Sequence, residues 1–240
     1  SFLNHRPESF LVHSRPGPDE SIAAGPILVR DGKAARVKTR TAAIPRVAFV
    51  TSWHPSGDLA AYCVNWFGQF MRGTGAEIRE VVDLDSDVEI VDFRSGEVSN
   101  SPGIADPDRQ ETFPCWSQDG KYLFFSSAPR LWEKTDFAPL QDYNKAKYDL
   151  MRISYDLASN TWGEPELLLA ASATGKSILQ PRASPDGRYL LFCMCDHGPF
   201  PAFQEDSDLY LMDLADRSYR RLEKANSPRS ESWHSWSSNS

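Results

Sequence analysis

One corner recurs along this chain, and it limits the folds open to it. Ser52-Trp-His-Pro-Ser-Gly-Asp-Leu-Ala-Ala-Tyr62, Cys115-Trp-Ser-Gln-Asp-Gly-Lys-Tyr-Leu-Phe-Phe125 and Arg182-Ala-Ser-Pro-Asp-Gly-Arg-Tyr-Leu-Leu-Phe192 align without gaps. A fourth copy opens at Ser235-Trp-Ser-Ser-Asn-Ser240. The turn glycines Gly57, Gly120 and Gly187 stand 63 and 67 residues apart, and Ser240 fills the glycine slot 53 residues further on. In each copy the turn residues preset φ, cap the turn and supply the positive φ. Apolar runs such as Tyr122-Leu-Phe-Phe125 flank the corner, the pattern of a hairpin between two strands.

A third strand is expected after each hairpin, at Asp87–Phe93, Tyr148–Leu157 and Asp208–Leu214, where polar and apolar residues alternate. Polar turns follow (Ser95-Gly96, Ser159-Asn160, Ala215-Asp216-Arg217), then a fourth strand, clearest at Tyr219–Leu222. Each unit therefore reads as a four-stranded antiparallel meander. Such meanders stacked about an axis make a propeller, and units longer than the usual blade imply long internal loops. The fold class is all-β: a β-propeller of four-stranded antiparallel blades, incomplete in this chain. Residues 1–44 form a partial N-terminal blade or lead-in strands, with Phe10–His13, Pro26–Arg30 and a turn at Asp31-Gly32. Residues 45–240 hold the blades, and the stop inside a hairpin implies truncation. Seven Trp and thirteen Phe suit pleated surfaces, and seventeen Pro leave little room for long helices.

Composition excludes some classes. The net charge is −7 and no basic run reaches five residues, which argues against nucleic acid as a partner. No apolar stretch approaches the roughly 18–20 residues of a membrane-spanning helix. The four cysteines show no disulfide framework; Cys193 and Cys195 share a strand face and are poorly placed to bond each other.

The Trp-Ser-x-Asp-Gly-Lys-Tyr-Leu-Phe-Phe and Ser-Pro-Asp-Gly-Arg-Tyr-Leu-Leu-Phe units resemble the TolB-like, WD-like propeller repeat, over roughly residues 45–240. The order Ser-Trp-His-Pro-Ser-Gly, Glu-Thr-Phe-Pro, Lys-Tyr-Asp-Leu and Trp-His-Ser-Trp-Ser-Ser-Asn-Ser resembles a bacterial envelope subgroup, often preceded by a Cys-x-x-Cys-His haem motif. The resemblance implies a periplasmic or cell-envelope location. It also implies haem c upstream of residue 1 as an alternative, with no cofactor in the chain itself.

Propeller geometry directs attention to the first strand of each blade, which lines the central channel. Ser52, Glu111, Gln180, Arg182 and His234 are the candidate channel ligands, with Arg182 and His234 foremost as donors. The connections between second and third strands are expected to be long loops with exposed aromatics. Trp66, Phe67, Phe70, Trp132, Phe137, Phe200 and Phe203 are then candidates for docking a protein or peptide, the alternative being local mini-cores. Cys193-Met-Cys195-Asp-His197 offers three zinc-type ligands, but the Gly198-Pro199 turn breaks their common face, so buried apolar cysteines are expected and no metal is assigned. The acidic runs Asp83–Asp87 and Glu205–Asp208 are expected to be solvated turns. No Gly-x-Ser-x-Gly elbow or paired histidines support catalysis. The first expectation is a non-catalytic envelope scaffold. Its rivals are the propeller of a haem c redox protein and the gating propeller of a prolyl-oligopeptidase-type peptidase.

Overall fold

A computed structural model describes residues 2–3, 9–14, 25–36, 47–71, 79–132 and 142–237. They form four antiparallel sheets in chain order. The first holds β1 (Phe2–Leu3), β2 (Ser9–Ser14), β3 (Gly25–Arg30) and β4 (Lys33–Arg36). The second holds β5 (Val47–Trp53), β6 (Leu59–Met71), β7 (Arg79–Asp92) and β8 (Glu97–Ser99). In the third, β9 (Arg109–Trp116), β10 (Tyr122–Pro129) and β11 (Asp149–Asp156) are followed by an edge split into β12 (Thr161–Trp162) and β13 (Glu166–Leu169). The fourth holds β14 (Ser177–Ala183), β15 (Tyr189–Cys195), β16 (Asp208–Asp213) and β17 (Tyr219–Arg221). Each is a meander of neighbouring strands, as the repeat predicts. The early pair Phe10–His13 and Pro26–Arg30 forms the two middle strands of its own four-stranded sheet.

The turns keep the chemistry read from the sequence. Gly57, Gly120 and Gly187 have φ of +77°, +72° and +72°. At Gly120 a side chain is excluded twice over, because a Cβ would also lie 2.3 Å from His54 Nε2 of the preceding corner. His54, 3% exposed, instead meets the Gly120 carbonyl at 3.2 Å and so ties one corner to the next.

The inner strands share a distortion that the sequence does not announce. Val50, Phe113 and Gln180 adopt φ of +43°, +54° and +56°, each seven residues before its turn glycine. The pairing with the second strand shifts register there in all three sheets, the mark of a β-bulge. Trp233, seven residues before Ser240, has φ +56° as well. Trp233 thus repeats the inner-strand φ of the other three positions.

Successive sheets are joined at equivalent points. The Trp116 amide donates to Ser52 Oγ (2.9 Å), and the Ala183 amide, one repeat on, donates to Cys115 Sγ (3.4 Å). The Trp236 indole donates to the Arg182 carbonyl (2.8 Å) and holds 232–237 against β14. One core joins the second, third and fourth sheets through Val50, Val88, Phe113, Phe125, Leu179 and Cys193. Another fills the space between the third and fourth with Phe124, Leu150, Ile178, Phe192 and Met212. The third sheet is therefore covered on both faces, as radial stacking requires.

Candidate functional site

The five channel candidates do not form one layer. Counted back from the turn glycine slot, Ser52, Glu111, Gln180, Arg182 and His234 stand at five, nine, seven, five and six residues. Ser52 is used in the joint to Trp116. Glu111, 1% exposed, accepts from the Ser127 hydroxyl (2.8 Å) and the Asp106 amide (3.3 Å). Gln180, Arg182 and His234 do come together where 232–237 meets β14. Gln180 Oε1 accepts from the Trp233 amide (2.7 Å), and His234 Nε2 faces the Leu191 carbonyl (3.3 Å). Burial, and then the Arg182 charge, lower His234 to about 4, so this imidazole is neutral near neutral pH.

The loop-side aromatics take a different place from a free rim. Trp66, Phe67 and Phe70 lie on β6, which runs on to Met71 paired with β7, and not in a long loop. Trp132, 9% exposed, shares a cluster with Val82, Leu84 and Ala146, and Trp66, Phe70 and Tyr143 pack against it. Phe67 meets Phe200 edge-on at 5.6 Å, Phe200 stacks with Phe203 at 5.7 Å, and the Arg79 guanidinium lies 4.4 Å over Phe203. Phe137 lies outside the described residues. The extended β6–β7 hairpin thus reaches across the loop side of the third and fourth sheets, and the aromatic side chains seal it there.

The acidic run at 83–87 is not a solvated turn. It continues β7, and Asp83 and Asp85 are each 1% exposed. Asp85 pairs with Arg130 at 2.7 Å. Asp83 accepts from Asn65 Nδ2 (3.1 Å) and lies 3.0 Å from the Tyr148 hydroxyl. Glu80 meets His197 at 3.3 Å and accepts from Gln204 Nε2 at 3.2 Å. Burial, ahead of the hydrogen bonds it accepts, pushes Asp83 up to about 7, and the same cause pushes Glu111 up to about 8. His197 therefore serves the hairpin, while Cys195 Sγ points to the His197 carbonyl (3.4 Å).

The opposite, turn side carries the open ring surface. A cleft of about 840 Å³ lies between the corners of the second and third sheets, bounded by His54, Tyr122, Tyr155, Leu157 and Trp162. Trp162 stacks on Trp116 at 5.8 Å and lies 4.5 Å from Tyr155. Gly163 lets the backbone close on the wall, because a Cβ there would fall 2.2 Å from Ser154 Oγ. Asp119 and Asp156 flank the cleft. Asp119 stays below its ordinary value although burial opposes this, because Ser117 and the Lys121 amide donate to it. The Ala158 amide and Ser159 lower Asp156. Both are carboxylates at neutral pH, and Lys121 lines the same cleft.

No family profile and no curated protein matches the sequence. Solved structures do match. A putative TolB from Agrobacterium tumefaciens superposes with a TM-score of 0.57 at 15% identity, over 92% of this chain and 62% of that one. TolB from Acinetobacter baumannii superposes with a TM-score of 0.53 at 14% identity, over 92% of this chain and 42% of that one. The fold is a TolB-like β-propeller. The chain spans less than two thirds of the length of either protein.

Within this TolB-like propeller Cys63, Cys193 and Cys195 are poor nucleophiles. All four are buried as free thiols, and burial pushes Cys63 and Cys193 up to about 12 and Cys195 well above its ordinary value. No helix among the described residues is long and apolar enough to cross a membrane.

Proposed function

We propose that this propeller is a non-catalytic binding module of the bacterial cell envelope, docking a protein or peptide on its turn side. The supporting observation is the cleft walled by Tyr122, Tyr155 and Trp162 and edged by Asp119 and Asp156. Trp162 is the half-buried ring of this wall, with Tyr155 buried behind it and Arg152 lying 4.7 Å over Tyr122. Such a ring gives large contact area at small entropic cost, and the carboxylates of the cleft favour a cationic side chain lying on it. A peptide presenting arginine or an aromatic residue matches that chemistry. The loop-side aromatics are engaged with one another, which leaves them less surface to offer. The envelope location rests on the sequence resemblance.

Selection of a displayed random-peptide library against the purified protein tests this reading. Leu157→Asp changes an exposed residue of the cleft and Trp162→Ala removes part of its wall. Both should weaken the enriched peptides at least about tenfold, as loss of an interface anchor does. Peptides that bind both variants as tightly as the parent protein would place the binding surface elsewhere.

A further inference from the structure

The β6–β7 hairpin is fastened to the third sheet by a buried chain of hydrogen bonds around Asp83. Its Oδ1 accepts from Asn65 Nδ2, and its Oδ2 lies 3.0 Å from the Tyr148 hydroxyl oxygen. The same hydroxyl lies 3.1 Å from Gln110 Oε1. Gln110 Nε2 donates to the Asp83 carbonyl at 2.8 Å, which fixes the amide with its oxygen toward the tyrosine. Three oxygens therefore meet, and the phenol has one proton to give. If Asp83 is ionised, two acceptors compete for that proton. If Asp83 is protonated, it donates to Tyr148, Tyr148 donates to Gln110, and every contact is satisfied.

The charged surroundings leave Asp83 uncompensated. Asp85, on the same strand, is occupied with Arg130 of the third sheet. Glu111 on β9 takes Ser127 and the Asp106 amide, while Arg109 reaches Ser127 and Asp149. Cys63 on β6 contributes a neutral thiol. At the outer end of the hairpin Glu80 is held by His197 and Gln204. Among the described residues Asp83 makes no ion pair.

We propose that the proton shared by Asp83 and Tyr148 is a latch that holds the 79–85 half of β7 on the third sheet while the carboxyl is neutral, and that ionisation releases this half and uncovers Gln110 of β9, while Glu111 keeps its own partners Ser127, Ser86 and the Asp106 amide. The direction follows from linkage. The closed form binds the proton more tightly than the open one, so the latch is firmest in acid. It weakens as pH rises from about 4 towards 7 and is level above that.

Amide hydrogen exchange, corrected for the intrinsic rate at each pH, reads the latch directly. The opening constant of residues 79–85 should rise roughly a hundredfold between pH 5 and pH 8 in the parent protein. Residues 88–91 of the same strand serve as the internal reference for global opening. Asp83→Asn should lose most of that rise. An equal rise in Asp83→Asn, or a flat profile in the parent, overturns the latch. Should Asp83→Asn fail to fold, the Asp83 carboxyl carbon is titrated by NMR in the parent protein. A midpoint near 7 supports the latch and one below 5 overturns it.

Discussion

Replacing Trp132 with alanine is expected to lower the unfolding free energy by about 4 kcal/mol, the loss typical of deleting a large buried ring. Trp132 is 9% exposed and sits where the hairpin residues Val82 and Leu84 meet Ala146, with Trp66, Phe70 and Tyr143 around it. Urea unfolding followed by circular dichroism measures the change. Trp233→Ala serves as the contrast: 49% of that residue is exposed, and its loss should cost on the order of 1 kcal/mol. A Trp132→Ala protein as stable as the parent would mean that the ring does not pack in this cluster, and that it is available to a partner after all.

The second large effect is a reversed pH dependence. Asp83 moves from 3.8 to about 7, and Glu111 from 4.5 to about 8, chiefly by burial. For both, the unfolded chain gives up its proton first as pH rises. Their stabilisation is thus complete below pH 4, falls between about pH 4 and 8, and then levels off. Each contributes on the order of a few kcal/mol to that fall. Asp92, Asp156, Asp186 and Asp216, which take hydrogen bonds near the surface, act the other way and lose their contribution below about pH 4. His234, lowered to about 4, gains its contribution between about pH 4 and 6.5 and offsets part of the fall, so stability should be highest near pH 4–5 and the urea midpoint clearly lower at pH 8. Asp83→Asn together with Glu111→Gln should remove the fall, leaving the rise that His234 gives up to about pH 6.5. A midpoint that climbs steadily from pH 5 to pH 8 would show that these carboxyls are ionised in the folded protein.

What the sequence made legible was local. Ser-Gly and Asp-Gly corners between apolar runs specify hairpins by turn chemistry alone, and all three form. The bulge was not legible, because Val50, Phe113, Gln180 and Trp233 share no residue type. Counting back from the turn glycine would have placed these four at one level. Choosing polar residues near each corner instead mixed several levels. Residues 83–87, in the middle of β7, look like a solvated turn in isolation because Asp83-Leu-Asp-Ser-Asp87 is so acidic, and the strand around them is not legible from that run. The strand's partners, Arg130, Tyr148 and His197, come from other sheets, 45 to 117 residues away along the chain. Val81, Val82 and Leu84 between those acids were the available hint that the segment is covered on both faces. The turn-side cleft is not legible in the sequence, because Trp116, Tyr155 and Trp162 are scattered along it and meet only when β11 and β12 fold beside the corner.

Equivalent corners arranged about one axis define a propeller, and pulsed electron–electron resonance between spin labels measures that arrangement. Pro55, Gln118 and Pro185 each stand two residues before a turn glycine, and cysteines introduced there can be labelled while the four buried native thiols stay unmodified. The predicted result is a 55–118 distance equal to the 118–185 distance, with 55–185 longer than either but shorter than their sum. Unequal neighbour distances, or three corners on a straight line, would contradict the propeller.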